Sequence, residues 1–277
     1  MLAFASALAY AGAAALQESA VSDTGGDGVA SPRLIMALLR RPRWLGGVAS
    51  TLLGAILHVV ALKLGPLAIV QPVGVAGLLF ALPLGALLHA RRPAARELVA
   101  AAGIAVGLAV LLASVRAASG NPTLTEPATA GLGGITALVV GALLLLARFT
   151  YGTLRAVLLA VAAGGAFGVT SALVRVVAHA TGLVGAERAV PGWTTLALLA
   201  SAVAGLLLSQ AAYQAGNLAA VLPTLTVVDP LVAIVVGAVL LGEPVRVTSG
   251  GFGLTAAAGV AIAISTAYLA RAPAGRR

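Results

Sequence analysis

Apolar windows of about 17–25 residues recur along this chain, each long enough to cross the hydrocarbon core of a bilayer. Short connections, many carrying arginine, separate them. Few folds accommodate that pattern. In lipid, a backbone N–H or C=O that finds no partner costs several kcal/mol, so such windows must close their hydrogen bonds within themselves as helices. The windows place nine helices near 2–20, 44–63, 66–89, 97–115, 130–147, 155–177, 193–213, 217–241 and 249–270. At 60% apolar and 9% charged residues, a soluble domain is excluded. The expected class is an all-α polytopic membrane protein of about nine transmembrane helices.

The apolar run from Met1 to Leu16 has no cation ahead of it, the first being Arg33. A secretory signal needs a positive leading region, so this run reads as a first span. Residues 22–43 form the longest connection, with a flexible Gly-Gly-Asp-Gly stretch followed by Leu34, Ile35, Leu38 and Leu39 beside Arg40, Arg41 and Arg43. This reads as a short interfacial helix on the cytoplasmic membrane surface. The chain divides into a first half, 1–116, with four spans and that linker, and a second half, 117–277, with five spans and a short tail.

The formal charge is +9, and sixteen of the seventeen cations are Arg. They lie mainly between apolar windows and form no basic surface interleaved with aromatics, which excludes nucleic acid as a partner. With the N-terminus outside and the C-terminus cytoplasmic, twelve cations fall inside and five outside (Lys63, Arg116, Arg175, Arg188 and Arg246). The opposite orientation reverses that split, so the positive-inside rule selects the first. The expected location is the cell (plasma) membrane, the inner membrane of a bacterial cell.

The two halves resemble each other. Ala61, Gly65, Leu67, Ala68, Val70 and Pro72 match Ala212, Gly216, Leu218, Ala219, Val221 and Pro223 at a constant offset. One further insertion pairs Gly85 with Gly237 and Gly107 with Gly259. The helix with Pro72 runs inward and the helix with Pro223 runs outward. Related segments crossing in opposite directions form an inverted repeat, and interrupted helices at matching positions point to a midplane binding site.

Asp229 is the only acid that the windows place well inside the bilayer. A charged Asp at a helix centre costs about 2.5–3.5 kcal/mol on insertion scales, so it marks a pathway by default. Pro223 and Pro230 bracket it as expected helix breaks, since each removes a backbone donor. Asp229 can bind a cation or exchange a proton; the competing role is a structural hydrogen bond to freed backbone. The hydroxyls of Thr224 and Thr226 either satisfy such backbone or line a cavity. Gln210, Tyr213, Gln214 and Asn217 fall on one helical stripe, either a polar entrance or an interfacial anchor. In the first half, Gln71 precedes Pro72 and His58 lies inside the second span. A lone His there is either an interhelical hydrogen-bond partner or a proton or metal ligand. Gly164, Gly165 and Gly168 permit close helix packing, and Arg175 can snorkel to water.

Enzyme signatures are lacking. The three His, at 58, 89 and 179, have no metal-ligand spacing, there is no Cys, and no nucleophile elbow or phosphate-cradling loop occurs. No cofactor is expected, and the only candidate metal ligand is Asp229.

The stretch Gly216-Asn-Leu-Ala-Ala-Val-Leu-Pro223, continuing through Asp229-Pro230 to Leu241-Gly242-Glu243-Pro244, resembles the penultimate helix of the drug/metabolite transporter superfamily, including its EamA-type members. The nine-helix layout, Gln210-Ala-Ala-Tyr213, Tyr151-Gly152, Trp44-Leu-Gly-Gly47 and Gly65-Pro66-Leu67-Ala-Ile-Val-Gln-Pro72 resemble the NIPA-like branch, whose members are linked to magnesium transport. The resemblance spans essentially the whole chain through short, diffuse motifs. It implies an alternating-access transporter of a small metabolite, with magnesium as the alternative cargo, and Asp229 would take a coupling proton or a cation. Where that branch carries Gly-Glu-Leu-Ala-Asn, this chain has Gly54-Ala-Ile-Leu-His58. Ala55 thus replaces a carboxylate that a hard divalent cation would favour. A non-transporting scaffold subunit is the remaining reading. The expected partners are the lipid bilayer, a small-molecule or cation substrate, and a second copy in a homodimer.

Overall fold

The computed structural model describes residues 1–24, 32–64, 73, 75–90, 92–117, 123–184, 192–242, 245–247 and 252–271. Gln71, Pro72 and Glu243 lie outside the described residues, as does most of the first-half copy of the repeat motif. The described elements are α1 Leu2–Ser22, α2 Pro32–Leu38, α3 Pro42–Leu64, α4 Gly77–Leu88, α5 Ala95–Ser114, β1 Val115–Ala117, α6 Glu126–Arg148, α7 Gly152–Val184, α8 Trp193–Ala215, α9 Leu218–Leu240, β2 Val245–Val247 and α10 Phe252–Arg271. Each apolar window holds a described helix, but in the 66–89 window that helix covers only Gly77–Leu88. Among the described residues six helices, α5 to α10, contain segments long and apolar enough to cross a membrane, and α4 is a shorter apolar helix. The molecule is a membrane-embedded helical bundle.

Two details depart from expectation. β1 and β2 pair antiparallel, Val115 opposite Val247 and Ala117 opposite Val245, so the architecture is not purely helical. Val-Arg-Ala and Val-Arg-Val are too short to show a period-two pattern, and only the meeting of two distant connections makes a ribbon of them. The linker helix α2 also differs from a surface-lying interfacial helix. Leu34 and Leu38 are buried in a core cluster with Val21, Trp44, Leu159 and Tyr213, leaving Met36 and Leu39 exposed. Its apolar face is satisfied by protein.

Helix ends follow local chemistry. Thr125 caps α6 by accepting from the Ala128 N–H, and Asn217 caps α9 by accepting from the Ala220 N–H at 2.9 Å. Gly242, at φ +61°, follows α9 in the left-handed region that favours glycine.

The chain alternates direction, so β1 and β2 mark one end of the bundle. The other end carries Arg40, Arg41, Arg43, Arg92, Arg96, Arg148, Arg155 and Arg271. α1 lies against α3 and α4, α7 lies against α8 and α9, and α5 pairs with α10. The α5–α10 contact rests on Gly103 and Gly107. A Cβ built on Gly103 would meet the Ser265 hydroxyl at 2.6 Å, and one on Gly107 would meet Ile262 at 2.7 Å. Lipid supplies no hydrophobic drive between helices, so small residues that admit close approach set such seams.

Candidate functional site: a mid-helix carboxylate and a buried amide network

Asp229 sits at the middle of α9, opposite the glycine face of α7. A Cβ on Gly168 would lie 2.5 Å from the Asp229 backbone oxygen, and one on Gly164 would lie 2.8 Å from Val228. Ser171, one turn beyond Gly168 on that face, donates its hydroxyl hydrogen to Asp229 Oδ1 at 3.1 Å. Asp229 is only partly buried and Ser171 is exposed, so this pair is not sealed in the core. Across from it, Tyr10 of α1 lies within electrostatic reach of the Asp229 carboxylate. The Tyr10 ring rests over Gly54 of α3, where a Cβ would approach it to 3.1 Å, and Ser6 donates to the Gly54 carbonyl at 2.8 Å. His58, one turn along from Gly54, is half-buried. Three helices therefore bring a carboxylate, hydroxyl groups and an aromatic ring to one level.

Pro223 and Pro230 are not helix breaks. α9 runs continuously through Pro223 and Pro230. Each proline deprives one carbonyl, four residues earlier, of its donor, here Ala219 and Thr226. The threonine hydroxyls do not repair these positions: Thr224 donates to the Ala220 carbonyl and Thr226 to the Leu222 carbonyl, each at 2.8 Å. Dense packing of α9 against α7 holds it straight enough to stay one helix. Thr224 also lines an apolar groove of about 420 Å³ between α5, α7, α9 and α10, with Leu231, Ile262 and Thr266.

Toward the arginine-rich end lies a second polar assembly. Gln210 of α8 is fully buried. Its Oε1 accepts from Trp44 Nε1 of α3 at 2.9 Å, and its Nε2 donates to Gln17 Oε1 of α1 at 2.9 Å and to Ser209 Oγ at 3.2 Å. Gln17 Nε2 in turn donates to Thr51 Oγ1 at 3.0 Å, and Thr51 donates to the Gly47 carbonyl at 3.1 Å. Interhelical hydrogen bonds in lipid average about 0.6 kcal/mol, whereas stripping a partner from a buried polar group costs roughly 1–3 kcal/mol. A network satisfied on every side is therefore specific rather than strong.

This corrects the reading of the α8 stripe. Gln210 and Tyr213 are buried, Gln214 is half-buried, and Asn217 is the N-cap of α9, so the stripe is neither an open entrance nor an interfacial anchor. Helical spacing identifies the common face but not what covers it, and α1 and α3 cover it. Nor is Asp229 the one acid inside the bundle. Glu18, near the end of α1, is 5% exposed and stands 3.7 Å from the His89 ring, whose Nε2 lies 3.4 Å from the Ser22 hydroxyl. Gln17, Glu18 and Trp44 escape sequence reasoning because each lies near a window end, where polar residues ordinarily meet headgroups, and Thr51 because a lone hydroxyl inside a span can bond its own helix backbone, as it also does to Gly47. Gln17-Glu18 falling inside the first apolar window is the one available signal.

No protein-family model matches the sequence, and no solved structure matches the chain. An uncharacterized protein of Corynebacterium glutamicum is 28% identical over 282 aligned residues, covering 100% of this chain and 97% of the relative.

Proposed function

We propose that this protein is an integral membrane transporter of the drug/metabolite superfamily, moving a small solute by alternating access. The observation that carries the reading is Asp229. A carboxylate at the centre of an apolar helix, held by one serine hydroxyl and only partly buried, is placed to exchange a proton or bind a cation. In this reading nine helices cross the plasma membrane, with the arginine-rich end and C-terminus cytoplasmic and the N-terminus outside. The packing pattern supports two inverted halves: α1 with α3 and α4 corresponds to α7 with α8 and α9, and α5 faces α10 between them. Tyr10 and Ser171 share the level of Asp229, while Gln210 and Tyr213 act in helix association rather than on the solute route.

The test is flux in proteoliposomes, with internal pH followed by an entrapped dye. Wild-type protein driven by a proton gradient should exchange a labelled metabolite mixture and move protons, and Asp229→Asn should do neither. Tracer magnesium forms the second arm. Magnesium movement lost in Asp229→Asn would make the cation the cargo and overturn the metabolite assignment. Absence of any flux under gradients of either sign would overturn transport itself and favour a scaffold.

A further inference from the structure

We infer that the Gln17–Gln210–Trp44 network is a reversible latch between the two halves of the molecule, closed in this structure at the arginine-rich end. The inference rests on the proposed function only for the purpose the latch serves. The α1–α5 and α6–α10 parts meet at several places, including the β1–β2 ribbon and the close approach of Gly85 on α4 to Leu218 on α9, and two of their seams differ in chemistry. One is the α5–α10 seam, where Gly103 and Gly107 bring the helices into close apolar contact with Ser265 and Ile262. The other is where α1 and α3 meet α8, with Gln17 and Trp44 both hydrogen-bonded to the Gln210 amide. In α8, Gly205 and the run Leu208 to Tyr213 are buried, whereas Trp193, Leu196, Leu199 and Val203 in its other half are exposed. The two halves of the protein thus grip α8 along one part of its length only.

The chemistry of the grip suits repeated opening. A glycine-packed apolar seam loses its contacts if it parts, and gains nothing in exchange from lipid. Amides differ: when the seam is closed they satisfy one another, and when it opens to water the same groups are solvated. Opening therefore costs mainly the apolar contacts of the surrounding cluster that holds Leu34, Leu38, Leu159 and Tyr213, while the amides keep hydrogen bonds in either state. The α5–α10 seam serves as the pivot and the Gln210 seam as the part that opens. Asp229 lies beyond the latch from the arginine-rich end, so opening the seam would connect its level with that side.

The chain has no Cys, so two introduced cysteines can be spin-labelled without background. Leu39→Cys and Tyr151→Cys place labels at exposed positions of the same end, one in each half. Pulsed electron–electron distance measurements in liposomes should give a single short distance in the parent. Gln210→Leu leaves Trp44 and Gln17 dehydrated only while the seam is closed, and should raise the ratio of long to short distances roughly tenfold. Gln17→Leu and Trp44→Phe combined with Gln210→Leu remove every amide and indole of the network and should return the short distance. Should Gln210→Leu not yield folded protein, Trp44→Phe removes one donor while keeping an aromatic ring, and should show the same shift to a smaller extent. Unchanged distances in whichever of these single variants folds would overturn the latch. Flux measured on the same liposomes separates the two ideas: longer distances without flux refute transport and leave the latch, and flux with unmoved distances does the reverse.

Discussion

The middle of α9 and the buried half of α8 both hold polar side chains at depth in an apolar bundle, yet they are built on opposite principles. On α8, Gln210 is wholly enclosed and each of its polar atoms has a partner on another helix or on Ser209. On α9, Asp229 accepts a hydrogen bond from an exposed serine and remains partly accessible. Saturated polarity specifies which helices pair. Unsaturated polarity beside open space can take a proton or a ligand. Depth alone therefore does not mark a working residue; the state of its hydrogen-bonding capacity does.

The sharpest way to break this contrast is to neutralise the α9 group without changing its shape. Asp229→Asn should abolish flux in liposomes while leaving thermal unfolding within about 0.5 kcal/mol of wild type, as for a substitution that disturbs no packing. If unfolding shifts strongly and flux persists, Asp229 is structural and the contrast fails. Next in size comes the wall behind it. Gly168→Val would drive side-chain atoms into the Asp229 carbonyl and Val232, and overpacking of this kind costs about 1–3 kcal/mol. Reversible unfolding in mixed micelles should register that loss. A smaller effect is expected at the amide network: Trp44→Phe leaves Gln210 Oε1 without its donor, costing about 1 kcal/mol, read by the same unfolding assay. Least of all, Gly141→Ala should be neutral or stabilise by up to about 1 kcal/mol, since nothing lies near its Cβ position and alanine favours helix. A large loss there would reveal an unseen contact on α6.

Much of the fold was legible because the bilayer reduces the problem. The windows at 97–115, 193–213 and 217–241 correspond to α5, α8 and α9, with ends displaced by only a few residues. α7 is the clear miss in length, running from Gly152 to Val184 where 155–177 was expected. The window tracks hydrophobicity, and the polar residues Arg175, His179 and Thr181 lower it without stopping a helix. Of the candidate site, Asp229 and Gln210 were legible as polar groups in apolar surroundings. Their roles were not. Proline was read as a break, yet Pro223 and Pro230 sit within one helix because a lost donor is a local cost that close packing on α7 offsets.

By itself, the sequence determined that helices form, roughly where each begins and ends, and which end of the bundle collects the arginines. Those outcomes follow from transfer of single residues and single segments between water and hydrocarbon, which needs no knowledge of neighbours. Only the tertiary structure decided that Gln17, Trp44 and Gln210 complete one another, that Ser171 reaches Asp229, and that α2 is covered by protein rather than by headgroups. These depend on which helix faces meet across residue separations of 58 to 193 in the chain, and hydrophobic periodicity carries no information about the partner.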